Sequence, residues 1–170
     1  FMTFVLWFTG LPCSGKTTIS KHLLGKIPNL EVLDGDELVR MLLLDSWSKE
    51  SRLNHTRRVA QIVKLLLKHN VPLCVSVISP FIESREIARK IIDNVNFFEV
   101  YIECSLETCE KRDVKGMFKK AREGQLENFS GVSAPYEIPK KPDLIINTEN
   151  SQPEKNAIEI IEFLKNKNLL

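Results

Sequence analysis

Between Gly10 and Thr17 the chain reads Gly-x-x-x-x-Gly-Lys-Thr. That spacing is suited to cradling a phosphate chain. Gly10 and Gly15 let the backbone turn tightly and aim its N–H groups inward. Lys16 brings a cation to the β and γ phosphates, and the Thr17 hydroxyl can take a place on Mg²⁺ at the positive end of the helix that follows. Cys13, Ser14 and Thr18 fall within or just behind the loop and count with the phosphate site, although the Cys13 thiol reads as incidental to the chemistry. A second group stands in "LDGDELVR", where Asp34 and Asp36 close a short apolar run. Two acids at the C-terminal end of a strand can serve Mg²⁺, directly or through water, and an acceptor hydroxyl. They can equally cap a turn before a helix. Arg40, one turn further on, could reach an anionic substrate.

Ahead of the phosphate motif, "TFVLWFT" (3–9) is a continuous apolar run, expected of a strand buried on both faces. The Gly-rich turn and a helix to about Leu24 follow. Further strands are expected over 30–36, 72–79, 97–104 and 143–148. Helices are expected over 50–69, from about Ser84, over 106–112 and at the C-terminus. The last has Ser151 and Glu154 as a capping box, Pro153 in its first turn, and Ala157, Ile160, Ile161 and Leu164 on one face. Strands alternating with helices predict an α/β fold: a parallel five-stranded sheet covered on both faces, in one domain over 1–170. Residues 113–141 carry Gly, Pro and many charges with little periodicity, and read as a mobile lid.

Composition narrows the classes. With 43% hydrophobic and 27% charged residues, the 170-residue chain can build an ordinary core. A net charge of +2 gives no sign of a nucleic-acid partner. Cys13, Cys74, Cys104 and Cys109 form no Cys-x-x-Cys pair and read as free thiols of a reducing compartment. Phe1 ahead of Met2 reads as a remnant before the natural start. The first apolar run is too short for a signal peptide or a membrane span, so a cytoplasmic protein without a membrane partner is expected. A GTPase would need a guanine-reading Asn-Lys-x-Asp, which is not in the chain. "DVKG" (113–116) matches Asp-x-x-Gly but stands too late to be a switch motif. A small-molecule kinase fits the length and the lid.

The segments "GLPCSGKTT", "LDGDELVR", "RRVAQIVKLL", "VSVISPF", "DVKGMFKKAREG", "NFSGV" and "PYEIP" resemble, in order and spacing, those of the adenylylsulfate kinases over roughly the whole chain. The resemblance implies a P-loop nucleotide-kinase fold and transfer of the γ-phosphate of ATP to a nucleotide 3′-hydroxyl with Mg²⁺. It implies ATP contacts from the loop and from Arg112, a metal site at Thr17 and Asp34, and Asp36 as the base or hydroxyl-orienting group. Arg40 and Arg52 match arginines that hold the acceptor's phosphate and sulfate end. Ile78 and Ser79 match backbone contacts, Lys115 a lid lysine near the transferring phosphate, and Phe129 an aromatic that stacks on the acceptor base. Lys119, Lys120 and Arg122 are further lid cations. A homodimer is implied as well.

Departures from the family pattern cluster on the acceptor side. Trp47 stands where Phe is usual, His55 where an acceptor-contacting Asn is usual with Asn54 beside it, and Ile82 where Arg is usual. The lid reads "NFSGVS", with Asn128 and Ser133 changed. Loss of one polar contact can cost roughly 1–3 kcal/mol, enough to move acceptor preference. On these departures the chain resembles a divergent branch that phosphorylates cytidine diphosphoramidate in capsule biosynthesis. An ordinary adenylylsulfate kinase that has drifted is the alternative. A nucleotide sensor without catalysis is the third reading, and intact Lys16, Thr17, Asp34, Asp36 and Lys115 argue against it.

Overall fold

A computed structural model describes residues 3–170, and the reading of Phe1 lies outside them. The elements run β1 (Val5–Thr9), α1 (Lys16–Leu23), β2 (Glu31–Asp34), α2 (Gly35–Met41), α3 (Lys49–Lys68), β3 (Leu73–Ser76), α4 (Ile82–Ile92), β4 (Phe97–Glu103), α5 (Leu106–Arg112), α6 (Met117–Arg122), β5 (Leu144–Asn147) and α7 (Pro153–Asn166). The five strands form one parallel sheet in the order β2-β3-β1-β4-β5. The first strand therefore occupies the centre, and this explains its unbroken apolar run. Leu6 and Phe8 face one layer with Ile19 and Leu23 of α1 and Ile160 and Leu164 of α7. Val5 and Trp7 face the other, with Val59 and Val63 of α3 and Ala88 and Ile92 of α4. Each helical layer reads at helical spacing because only one stripe of each helix meets the sheet.

The expected sheet and both helical layers are present. The strands are shorter than their apolar runs, because pairing stops where the chain turns into the site. Two helices were not anticipated. The seven-residue α2 follows β2 without a loop, and α6 lies inside the stretch read as irregular. The capping box of the last helix does not form: Gln152 is the N-cap, no side chain caps it, and Pro153 alone marks the start. Proline at the first helical position has no N–H to leave unsatisfied, and its fixed φ is already that of a helix. All four cysteines are unpaired; Cys74 is buried in the sheet, while the other three meet. Cys104 and Cys109 are buried in a small cluster with Phe118, against which Cys13 packs.

Candidate active site

The phosphate loop joins the central strand to α1. Gly15 is the N-cap of α1 with φ 103, a left-handed conformation that favours glycine. At Gly10 the requirement is space: a Cβ there would stand 2.6 Å from the Ile102 carbonyl oxygen and 2.8 Å from Ser14 Oγ. Lys16 is only 8% exposed, and its ammonium donates to the carbonyls of Gly10 at 2.9 Å and Leu11 at 2.6 Å and to Ser14 Oγ at 3.3 Å. Burial pushes its pKa down to about 8 despite the acids nearby. Thr148, just beyond β5, pins the loop from outside through its hydroxyl to the Ser14 carbonyl at 2.7 Å. Arg112 spans the same gap, donating to the Thr148 carbonyl at 2.6 Å and to the Cys13 carbonyl at 3.4 Å.

The capping reading of the acid pair holds. Asp34 caps α2, its Oδ1 accepting from the Asp36 N–H at 3.0 Å, while its Oδ2 accepts from the Thr17 hydroxyl at 2.7 Å. One carboxylate thus fixes the helix and meets the residue that ends the phosphate motif. Thr17 and Asp34 offer hard oxygen donors. Among the described residues no group of three or more His, Cys, Asp or Glu is gathered for a metal. That donor set fits a cation that keeps waters and takes phosphate oxygens, as Mg²⁺ does. Asp36 points to the far side and pairs with Lys115 from the segment after α5.

These groups open on one cavity of about 720 Å³. Cys13, Gly15, Lys16, Thr17, Thr18 and Arg112 line it around the phosphate loop. Trp47, Arg52, His55, Ile78, Ser79 and Phe129 line it beyond Asp36 and Lys115. Arg52 is buried, donates to the Trp47 carbonyl at 2.9 Å and to the Asn128 carbonyl at 2.7 Å, and lies 5.0 Å over the Trp47 ring. Burial lowers its pKa to about 10. Phe129 is held edge-on by Phe118 at 5.1 Å. His55 turns to the cavity while the Asn54 carboxamide accepts from Arg57 at 2.7 Å. Burial, then the Arg58 charge, lower the His55 pKa.

Some expected residues do not reach this wall. Gly10 and Ser14 lie beneath it. Arg40 is exposed and off the cavity, since one helical turn, about 5.4 Å, carries it past the rim. Lys119 and Lys120 are exposed elsewhere, and Arg122 pairs with Glu110 at 2.9 Å. Ile82 is also off the wall, at the first turn of α4 with its N–H donating to Glu137 Oε2 at 2.7 Å.

One pattern has no mark in the sequence. Four buried side-chain polar atoms lack a partner among the described residues: His55 Nδ1, Ser76 Oγ, Ser130 Oγ and Asn156 Nδ2. All four residues line this cavity. Unpaired buried polar atoms are rare in folded proteins and mark places where a ligand or water completes the bonding.

The sequence profile described as "Adenylylsulphate kinase" matches residues 2–147. The chain belongs to the adenylylsulphate kinase family. It is 42% identical to the adenylyl-sulfate kinase of Staphylococcus haemolyticus, over 98% of this chain and 86% of the relative. It is 43% identical to that of Clostridium acetobutylicum, over 98% and 85%. Among solved structures, the APS kinase CysC of Mycobacterium tuberculosis in complex with AMPPNP and APS superposes with a TM-score of 0.90 at 35% identity, covering 96% of this chain and 98% of that one. Membership of this family makes the chain an ATP-dependent nucleotide kinase. No helix among the described residues is long and apolar enough to cross a membrane.

Proposed function

We propose that the enzyme transfers the γ-phosphate of ATP to the 3′-hydroxyl of adenylylsulfate, giving 3′-phosphoadenylylsulfate and ADP. One observation carries the reading. A single cavity joins the phosphate loop to Asp36 and then to Arg52, His55 and Phe129, and the four described residues whose buried polar side-chain atoms lack a partner all line it. Relatives that bear the name adenylyl-sulfate kinase align along nearly all of the chain, and the similar structure from M. tuberculosis holds an ATP analogue and APS together.

Phosphoryl transfer asks the protein for position and charge more than for covalent chemistry. Lys16 would leave the loop carbonyls for the β and γ phosphates, while the loop N–H groups and the α1 N-terminus hold them. Mg²⁺, held by Thr17 and through Asp34, would screen the same oxygens. Asp36 would orient the acceptor hydroxyl and receive its proton, and Lys115, released from Asp36, would follow the transferring phosphoryl group. Arg52 would hold the acceptor's anionic end and Phe129 its base, with Arg112 at the donor nucleotide. A homodimer, and a single domain over 1–170 with 113–141 as a mobile lid, complete the proposal.

Cytidine diphosphoramidate gives way as the first choice. That reading leaned on Ile82 and His55, and the Ile82 side chain is not on the cavity wall. Trp47 and His55, both on the wall, are the departures that still favour a changed acceptor. The deciding experiment is a paired assay with MgATP and each acceptor, with the product identified by mass. Faster turnover of adenylylsulfate is expected. Faster turnover of cytidine diphosphoramidate would overturn the assignment, and ATP hydrolysis without a phosphorylated acceptor would overturn both.

A further inference from the structure

Ser79 has φ 45, a left-handed conformation that a residue with a side chain adopts only under constraint. It is held from several sides. Its hydroxyl accepts from Trp7 Nε1 at 3.3 Å and shares a hydrogen bond with Ser84 Oγ at 3.1 Å. Its carbonyl accepts from the Thr9 hydroxyl at 3.1 Å and from Arg85 Nη1 at 2.6 Å. Ser79 lines the cavity and Arg85 does not.

Arg85 is 2% exposed, and each of its three guanidinium nitrogens has a partner. Nε pairs with Glu99 Oε1 at 2.9 Å, and Nη2 donates to the Glu137 carbonyl at 2.6 Å. Glu137 belongs to the end of the 113–141 segment. That end is tied down twice more: its N–H donates to the Pro80 carbonyl at 2.7 Å, and its Oε2 accepts from the Ile82 N–H at 2.7 Å. The guanidinium also lies 6.0 Å from the Tyr136 ring, whose hydroxyl is 2.9 Å from Thr9 Oγ1. A cation serving the core alone would need only Glu99. Two of the fork's donors go instead to backbone carbonyls of two segments that border the same cavity.

We infer that Arg85 is a positioning residue: by holding the Ser79 and Glu137 carbonyls in one fork, it makes acceptor binding and docking of the 113–141 segment a single event. The inference rests on the reading that Ile78 and Ser79 face the acceptor. Coupling of this kind is reciprocal, so whatever steadies one side steadies the other.

The test compares wild type with Arg85→Lys, which keeps a cation beside Glu99 but cannot reach both carbonyls. Acceptor KM should rise at least about tenfold with ATP KM within about twofold, an asymmetry that a merely structural role would not give. Amide hydrogen exchange at Glu137 should slow when acceptor is added to wild type and fail to slow in the variant. The inference is overturned by an unchanged acceptor KM, or by both KM values rising together with a fall in thermal midpoint. Should the variant not fold, wild-type Glu137 exchange that ignores the acceptor overturns it as well. Failure of the acceptor assignment is a separate result. It shows as wild-type turnover of the other nucleotide, on which the same two proteins are then compared.

Discussion

Lys115 and Asp36 form an ion pair across the mouth of the cavity, one from the segment after α5 and the other from the first turn of α2. Both side chains are 61% exposed, so water screens the pair, and surface pairs of this kind contribute only about 0–1 kcal/mol. The contact is easily exchanged: a hydroxyl can take Asp36 and a phosphoryl oxygen can take Lys115. Asp36→Asn should therefore lower kcat by about 10²–10⁴, as loss of a proton acceptor does, with ATP affinity within a few-fold. Turnover close to wild type in steady-state assays would remove Asp36 from the proposed mechanism.

Lys16 supplies a pH signature. Burial holds its pKa near 8 in the ligand-free protein, and phosphates bound beside it should raise that value. The bound form then carries the extra proton at any pH between the two values. Nucleotide binding above pH 8 should take up a proton, and affinity should fall as pH rises from 8. Calorimetry in two buffers of different ionisation enthalpy reads the uptake directly. A value of zero at pH 8.5 would contradict this.

Gly10→Ala should destabilise the protein by about 1–3 kcal/mol, the usual cost of overpacking a close site. The added methyl would meet a backbone oxygen of β4, which cannot swing aside as a flexible side chain can. Denaturant unfolding measures the loss. An alanine variant as stable as wild type would mean that the loop and β4 separate easily.

His55 is disfavoured as a cation by burial and then by Arg58. Its folded pKa lies below the unfolded value of about 6.5, so as pH falls through that value the unfolded state takes up the proton first. Stability should decline from there downward, and His55→Asn should lessen the decline between pH 7 and 5.5 in urea titrations. If Nδ1 meets the acceptor, His55→Ala should also raise acceptor KM about five- to tenfold, a typical hydrogen bond's worth, with ATP KM unchanged.

The phosphate loop could be read from the sequence because its chemistry is written in consecutive residues, and the sheet because β1 is buried on both faces and so apolar throughout. Asp34 and Asp36 were legible for the same local reason. The place of Arg40 could not be read, since its exposed position outside the cavity lining depends on how α2 packs and not on spacing. Arg85 could not be found: its carbonyl partners stand 6 and 52 residues away, and backbone acceptors leave no mark on residue type. The unpartnered atoms of Ser76, Ser130 and Asn156 were equally silent, since a serine or asparagine without a partner looks like any other until the chain closes around it.

The place of β1 at the middle of the sheet bears on how the molecule is made. Its two neighbours begin only at Leu73 and Phe97. At translation speeds of about 5–20 residues per second, a largely apolar strand leaves the ribosome, stays unpaired for roughly three to thirteen seconds, and waits roughly five to eighteen seconds for its second neighbour. During that interval the phosphate loop has no rigid base, and the nascent chain offers an open edge to any other unfolded chain nearby. Chains stalled before β4 should therefore be aggregation-prone and nucleotide-blind, with holdase chaperones as their natural companions.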